Sequence, residues 1–152
     1  MKEFLRMPFH LALLSIALLA GAATAAEPAD TSAESGRRAL MAQTEAWNKG
    51  DIDGALEGYC PKVDITWVNA KGVTHGYDAF AKSMREDFAG GTAAMGVLTN
   101  TVIDSRGLGG GQSLIVVKWD ITRDGTRLMG GISTQLWAKC QGRTRIVFEH
   151  AD

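Results

Sequence analysis

Two histidines follow residue 26, His75 and His150. An imidazole titrating at about pH 6.5 can serve as general acid or base, or give a ligand a polar handle. His75 stands where a short strand hands over to a helix, and His150 stands near the end of the last strand. Glu149 completes the residue types of a two-histidine, one-carboxylate metal site. Neighbours in a strand point to opposite faces, so Glu149 and His150 are not expected to ligate together, and neither a metal nor a cofactor is implied. The chain has no G-x-S-x-G elbow and no phosphate loop, and its order suggests no Cys–His pair. An isomerase-type site needs a carboxylate in apolar surroundings and a donor for the developing oxyanion. The pattern puts none of Asp64, Asp104 and Asp120 firmly on an inner face. The aromatic residues suggest a different chemistry. Ile115, Val117, Trp119 and Ile121 share one face of a strand. Trp119 and Trp67, with Tyr59, Tyr77, Phe80 and Met84, would then either line a hydrophobic cavity or simply fill the core. Buried Tyr and Trp need partners for their polar tips, which a pocket with a few polar groups would supply.

These side chains belong to a chain of 152 residues with 16 Lys+Arg against 17 Asp+Glu, 45% hydrophobic and 22% charged. That is ordinary globular composition. It excludes a disordered tail, a collagen-like fibre and a polybasic nucleic-acid binder. Residues 1–26 read as a secretory signal. Lys2 and Arg6 give a positive start, Leu11 to Leu19 a short apolar run, and Ala22-Ala23-Thr24-Ala25-Ala26 a site for cleavage. The run falls short of the roughly 20 residues that cross a bilayer, so cleavage and a periplasmic or secreted location are expected. Cleavage removes Lys2, Glu3 and Arg6, leaving 14 basic against 16 acidic side chains, a net charge of −2. No long apolar stretch follows, so no membrane association is expected after cleavage. Cys60 and Cys140 remain. An oxidising compartment permits them to pair, and their spacing matches no metal motif. On the residues alone, a disulfide and two buried thiols stand level.

Residues 27–32 form a small, polar lead-in, expected to be disordered. Thr31 and Glu34 have the spacing of a capping box. A helical stripe through Gly36, Leu40 and Trp47 runs to Gly50. Asp51 can cap a short second helix carrying Ile52, Ala55, Leu56 and Tyr59, stopped by Pro61. Val63 to Val68 reads as a strand, Asn69 to Gly72 as a turn, and Val73 to His75 as a returning strand. Tyr77, Phe80, Ala81, Met84 and Phe88 line a third helix, ended by Gly90-Gly91. Four strands follow, 97–104, 114–122, 127–139 and 143–150. Between them lie a flexible loop at 107–111, an Asp124-Gly125 hairpin turn and a turn at Gln141-Gly142. Gly130-Gly131 predict a bulge or bend in the third of these strands. Helices early and a meander late give an α+β fold, with three N-terminal helices on one face of a mostly antiparallel sheet. If that sheet is strongly curved, the fold is cone-shaped and the cone has a mouth.

The run Ala46 to Gly54 (AWNKGDIDG) resembles the W-N-x-G-D-x-x-G joint between the first two helices of SnoaL-like proteins. Gly72 to Phe80 (GVTHGYDAF) resembles that family's entry into helix three. Met95 to Leu98 and Arg145 to His150 resemble its third and closing strands. The resemblance covers residues 33–152 and implies the nuclear-transport-factor-2-like (NTF2-like) cone, the superfamily of ketosteroid isomerase and polyketide cyclases. It also implies that the first strand lies parallel to the last, which brings Cys60 and Cys140 together as a disulfide. His150 falls where the resembling proteins often carry His after an acidic residue. Dimerisation through the outer sheet is common in the resembling fold, and the apolar Leu114 and Val116 on that face fit a homodimer. The leading expectation is an exported domain holding a small apolar or aromatic molecule, with Tyr59, Trp67 and Trp119 as walls and His150 as polar contact. The alternatives are an isomerase, cyclase or hydrolase using His150 or His75 as general acid/base, and a dimeric interaction module without ligand.

Overall fold

The computed structural model describes residues 31–62 and 64–152; the expected signal segment and residues 27–30 lie outside the described residues. Helix α1 (Ser32–Asn48) buries the stripe Gly36, Leu40 and Trp47. Its expected capping box does not form. The Thr31 side chain makes no cap bond, and Glu34 turns to Arg37 and Arg38 one turn on. The helix is instead pinned at Ser32, which opens it and whose hydroxyl donates to the Gln112 carbonyl at 2.7 Å. At the far end the Trp-Asn pair acts as a clamp. Trp47 Nε1 donates to the Met95 carbonyl at 3.3 Å. Asn48 Nδ2 donates to the Leu98 carbonyl while the Leu98 N–H donates to Asn48 Oδ1, at 2.9 and 2.7 Å.

Asp51 caps α2 (Ile52–Leu56), its Oδ1 accepting from Gly54 N at 2.8 Å. The helix stops before Tyr59 because the chain there finds a better partner. Tyr59 forms a parallel bridge to Ile146, with Cys60 N donating to Ile146 O at 2.9 Å and Ile146 N to Gly58 O at 2.8 Å. Strands β1 (Thr66–Asn69) and β2 (Gly72–His75) form a hairpin, followed by α3 (Tyr77–Asp87). A single turn, α4 (Thr92–Met95), was not expected; it fits between Gly91 and Gly96 and buries Met95.

The long strands are β3 (Val97–Gly109), β4 (Gln112–Arg123), β5 (Thr126–Cys140) and β6 (Arg143–Ala151). The expected loop at 107–111 shrinks because Gly107 and Gly109 pair with Ser113 and Gln112. At the β4–β5 turn Asp124 and Gly125 both take positive φ, 49° and 76°. The sheet order is β2-β1-β6-β5-β4-β3. Neighbours are antiparallel except β1 and β6, which run parallel. The sheet is curved and does not close, and its inner face carries Ile115, Val117, Ile121 and Trp137 against the helices. Cys60 and Cys140 are joined in a disulfide, their Cα atoms 5.9 Å apart. Among the described residues no helix is long and apolar enough to cross a membrane.

Candidate functional site

The site grows from an irregularity in β6. Trp137 pairs with Ile146, but the adjacent Leu136 pairs with Phe148, so Val147 is unopposed. Such a bulge re-aims every residue beyond it. Ile146 and Glu149 both face inward, 0% and 6% exposed, while His150 is exposed.

Three neutral groups hold the buried Glu149. Gln135 Nε2 donates to Oε1 at 2.9 Å. The orientation of that amide is fixed by Trp137, whose indole Nε1–H donates to Gln135 Oε1 at 3.1 Å; an indole can only donate, so the Gln135 oxygen must face it. The Ser133 hydroxyl also donates to Oε1, and the Tyr59 phenol donates to Oε2. Burial raises the Tyr59 phenol well above its ordinary value, and the charge of Glu149 and the hydrogen bond to it add to the shift. It therefore stays protonated and remains a donor. Oε1 is saturated by two bonds, and Oε2 has accepted one and can accept another.

Glu149 stands in the wall of a cavity of about 590 Å³. Its aromatic lining falls in two groups. Phe80 packs against Tyr59 and Trp67, with ring centroids 4.5 and 5.2 Å apart. Trp47 meets Phe88 edge-on at 4.7 Å, on the side that Trp119 also lines. The indole N–H of Trp119 is buried without a hydrogen-bond partner. Lys71, Asp87 and Asp152 also border the cavity, all three exposed. The volume falls within the roughly 300–1,000 Å³ of small-molecule sites, which typically combine apolar walls with a few placed polar groups.

A scan against known protein families finds no match, and no curated protein matches the sequence. Solved structures do match in shape. An NTF2-like protein of unknown function from Shewanella oneidensis superposes with a TM-score of 0.71 at 24% identity, over 78% of this chain and 96% of that one. The chain has the NTF2-like fold. A domain of unknown function from Nostoc punctiforme, described as cystatin-like, gives 0.62 at 20% identity over 82% and 76% of the two chains. A putative calcium/calmodulin-dependent protein kinase II association domain from Thiobacillus denitrificans gives 0.63 at 16% over 76% and 91%.

The NTF2-like cone gathers five of the six expected wall residues, Tyr59, Trp67, Phe80, Met84 and Trp119, around one cavity. Tyr77 is not among the lining residues; it packs, half-buried, against the outside of the main core cluster. Neither histidine lines the cavity. The bulge at Val147 turns His150 outward, where Nε2 lies 3.3 Å from Asp152 Oδ1. His75 is exposed on the edge strand β2, its Nδ1 3.3 Å from Thr66 Oγ1. The expectation of a pocket histidine is therefore corrected to a pocket carboxylate. Of the groups sequence reasoning passed over, Gln135 and Ser133 carried a signal, as polar residues alternating in phase with Trp137 on β5. Glu149, weighed in the sequence only as a metal ligand beside the histidines, carried no signal of its inward placement, because the bulge that aims it leaves no mark in the pattern.

Proposed function

We propose that this NTF2-like domain binds a small, largely aromatic or apolar molecule in its cone, held by a hydrogen bond to Glu149. The observation that carries the reading is the buried carboxylate at the wall of a 590 Å³ aromatic cavity with one acceptor position unused. The unpartnered Trp119 N–H supports a ligand that also offers an acceptor. An enzyme reading would rest on Glu149, the buried carboxylate of the wall, and not on a histidine. In keeping with the sequence, the domain is proposed to act after export to the periplasm or beyond, as a SnoaL-like cone. It is also proposed to act as a homodimer through the outer sheet face. Leu114, Leu136 and Phe148 support the last point, since they form one registered row across β4, β5 and β6. Titration with phenethyl alcohol, a neutral aromatic donor, tests the cavity reading. A saturable change in tryptophan fluorescence is expected, because three of the four tryptophans line the cavity. A strictly linear response up to the solubility limit, from this probe and from its amine analogue alike, overturns it.

A further inference from the structure

The cavity presents a buried carboxyl group to which the protein gives no cationic partner. All three partners of Glu149 are neutral: a phenol, an alcohol and an amide. The amide and its indole anchor fix that side of the carboxylate as an acceptor. The basic groups on its own strand are committed elsewhere. Arg145 donates to the carbonyls of Glu57 and Cys140 and to Gln141 Oε1, at 3.0, 3.2 and 3.0 Å. Arg143 pairs with Glu57 at 2.7 Å, and His150 faces the other side of the sheet. Among the described residues lining the cavity, Lys71 is the one base, and it stands exposed in the β1–β2 turn, outnumbered by the two exposed acids of the lining, Asp87 and Asp152.

A buried carboxylate held by neutral donors alone is costly, because nearby opposite charge normally offsets its desolvation. Cations also gain from the faces of aromatic rings in a desolvated site, and this wall holds six such rings. Anionic ligands meet the opposite sign of field. We infer that the ligand is a cation, an aromatic or aliphatic amine whose ammonium donates to the free position of Glu149 Oε2 while its apolar body fills the aromatic walls. This inference rests on the cavity reading above and narrows it to a ligand class.

The test compares two probes of one skeleton on the full-length protein, phenethylamine, protonated at neutral pH, and phenethyl alcohol. Both offer a hydrogen-bond donor, so the difference between them reports charge. The amine is expected to bind at least about tenfold tighter, the difference between a charge-assisted and a neutral hydrogen bond. Glu149→Gln should bring the two affinities together, chiefly by weakening the amine. The wild-type comparison stands alone if that variant does not fold. Equal affinities, or tighter binding of the alcohol, overturn the cationic ligand and leave the cavity reading intact. Failure of both probes to saturate overturns the cavity reading and this inference together.

Discussion

The carboxylate of Glu149 is only as well placed as its donors, and Tyr59 is the most consequential of them. Removing its hydroxyl leaves Oε2 buried with its protein partner gone. A hydrogen bond to a charged group contributes about 1.5–3 kcal/mol. Tyr59→Phe should lower the unfolding free energy by about that amount, read as a shift in denaturant midpoint. The same residue gives the protein an alkaline limit. Its phenol is held well above the ordinary value of 10.0, first by burial and then by Glu149. Above about pH 10 the unfolded chain loses this proton while the folded one keeps it, so the unfolded state binds fewer protons. Stability then falls by up to about 1.4 kcal/mol per pH unit. The contribution is fully present below the unfolded value and is lost as pH rises through the folded one. Tyr59→Phe should flatten the alkaline limb of the melting curve against pH; identical slopes in the two proteins would refute the assignment. At this scale the sequence was partly legible. Side chains that line the cavity by bulk, such as Phe80, Trp67 and Trp119, follow from helical and strand periodicity. Glu149 does not, because strict alternation from Ile146 would send Phe148 and His150 inward, and only the unopposed Val147 inverts that order.

Elements were legible where local chemistry is strong and obscure where partners decide. The Asp124-Gly125 turn and the Asp51 cap follow from the conformations those residues favour. The length of β3 and the early end of α2 follow from pairing with distant strands. The Gly130-Gly131 pair shows the difference. The pair predicts a bulge or bend of its own, whereas the register shift falls two residues before Gly130, where Leu128 has no partner opposite. Gly131 serves another purpose. A Cβ there would land on the backbone carbonyl of Asp152, which accepts from Ile132 N at 3.0 Å while Asp152 N donates to Ile132 O at 3.0 Å. The missing side chain lets the end of β6 close against β5 at the cavity rim. Gly131→Ala should therefore break both bonds and cost about 1–3 kcal/mol, as overpacking does. Hydrogen exchange should show the Ile132 and Asp152 amides losing protection while central β4 amides keep theirs. Unchanged protection at Ile132 would show that the strands tolerate the methyl group.

For the whole molecule, two features lie outside the reach of periodicity, the long-range disulfide and what covers the outer face of the sheet. The Cys60–Cys140 bond spans 80 residues of sequence and ties the segment beside Tyr59 to the end of β5. In the chain-entropy account a loop of that length contributes about 4–5 kcal/mol, a large share of the roughly 5–15 kcal/mol typical of a domain. Reductant should lower the guanidinium midpoint accordingly, and an unchanged midpoint would mean that the unfolded state is compact without the bond. The outer face concerns association. Leu114, Leu136 and Phe148 lie in one row, and Ile132, two rows further along the same face of β5 and opposite Lys118, is 53% exposed. Standard interfaces bury about 800 Å² per partner around an apolar centre, and a sheet face can supply that area while leaving the cone mouth on the opposite side free. The proposed dimer therefore predicts that association and ligand binding separate. Ile132→Asp should halve the mass seen by sedimentation, because it puts a charge in place of an exposed apolar side chain on the proposed face. It should leave the affinity for phenethylamine unchanged within about twofold, since Ile132 meets the cavity-bordering Asp152 only through the backbone and its side chain alternates with the inward Ser133, away from the cavity. A wild-type chain that sediments as a monomer at every concentration would remove the dimer. A variant that loses dimer and ligand together would show instead that the outer face supports the shape of the cavity.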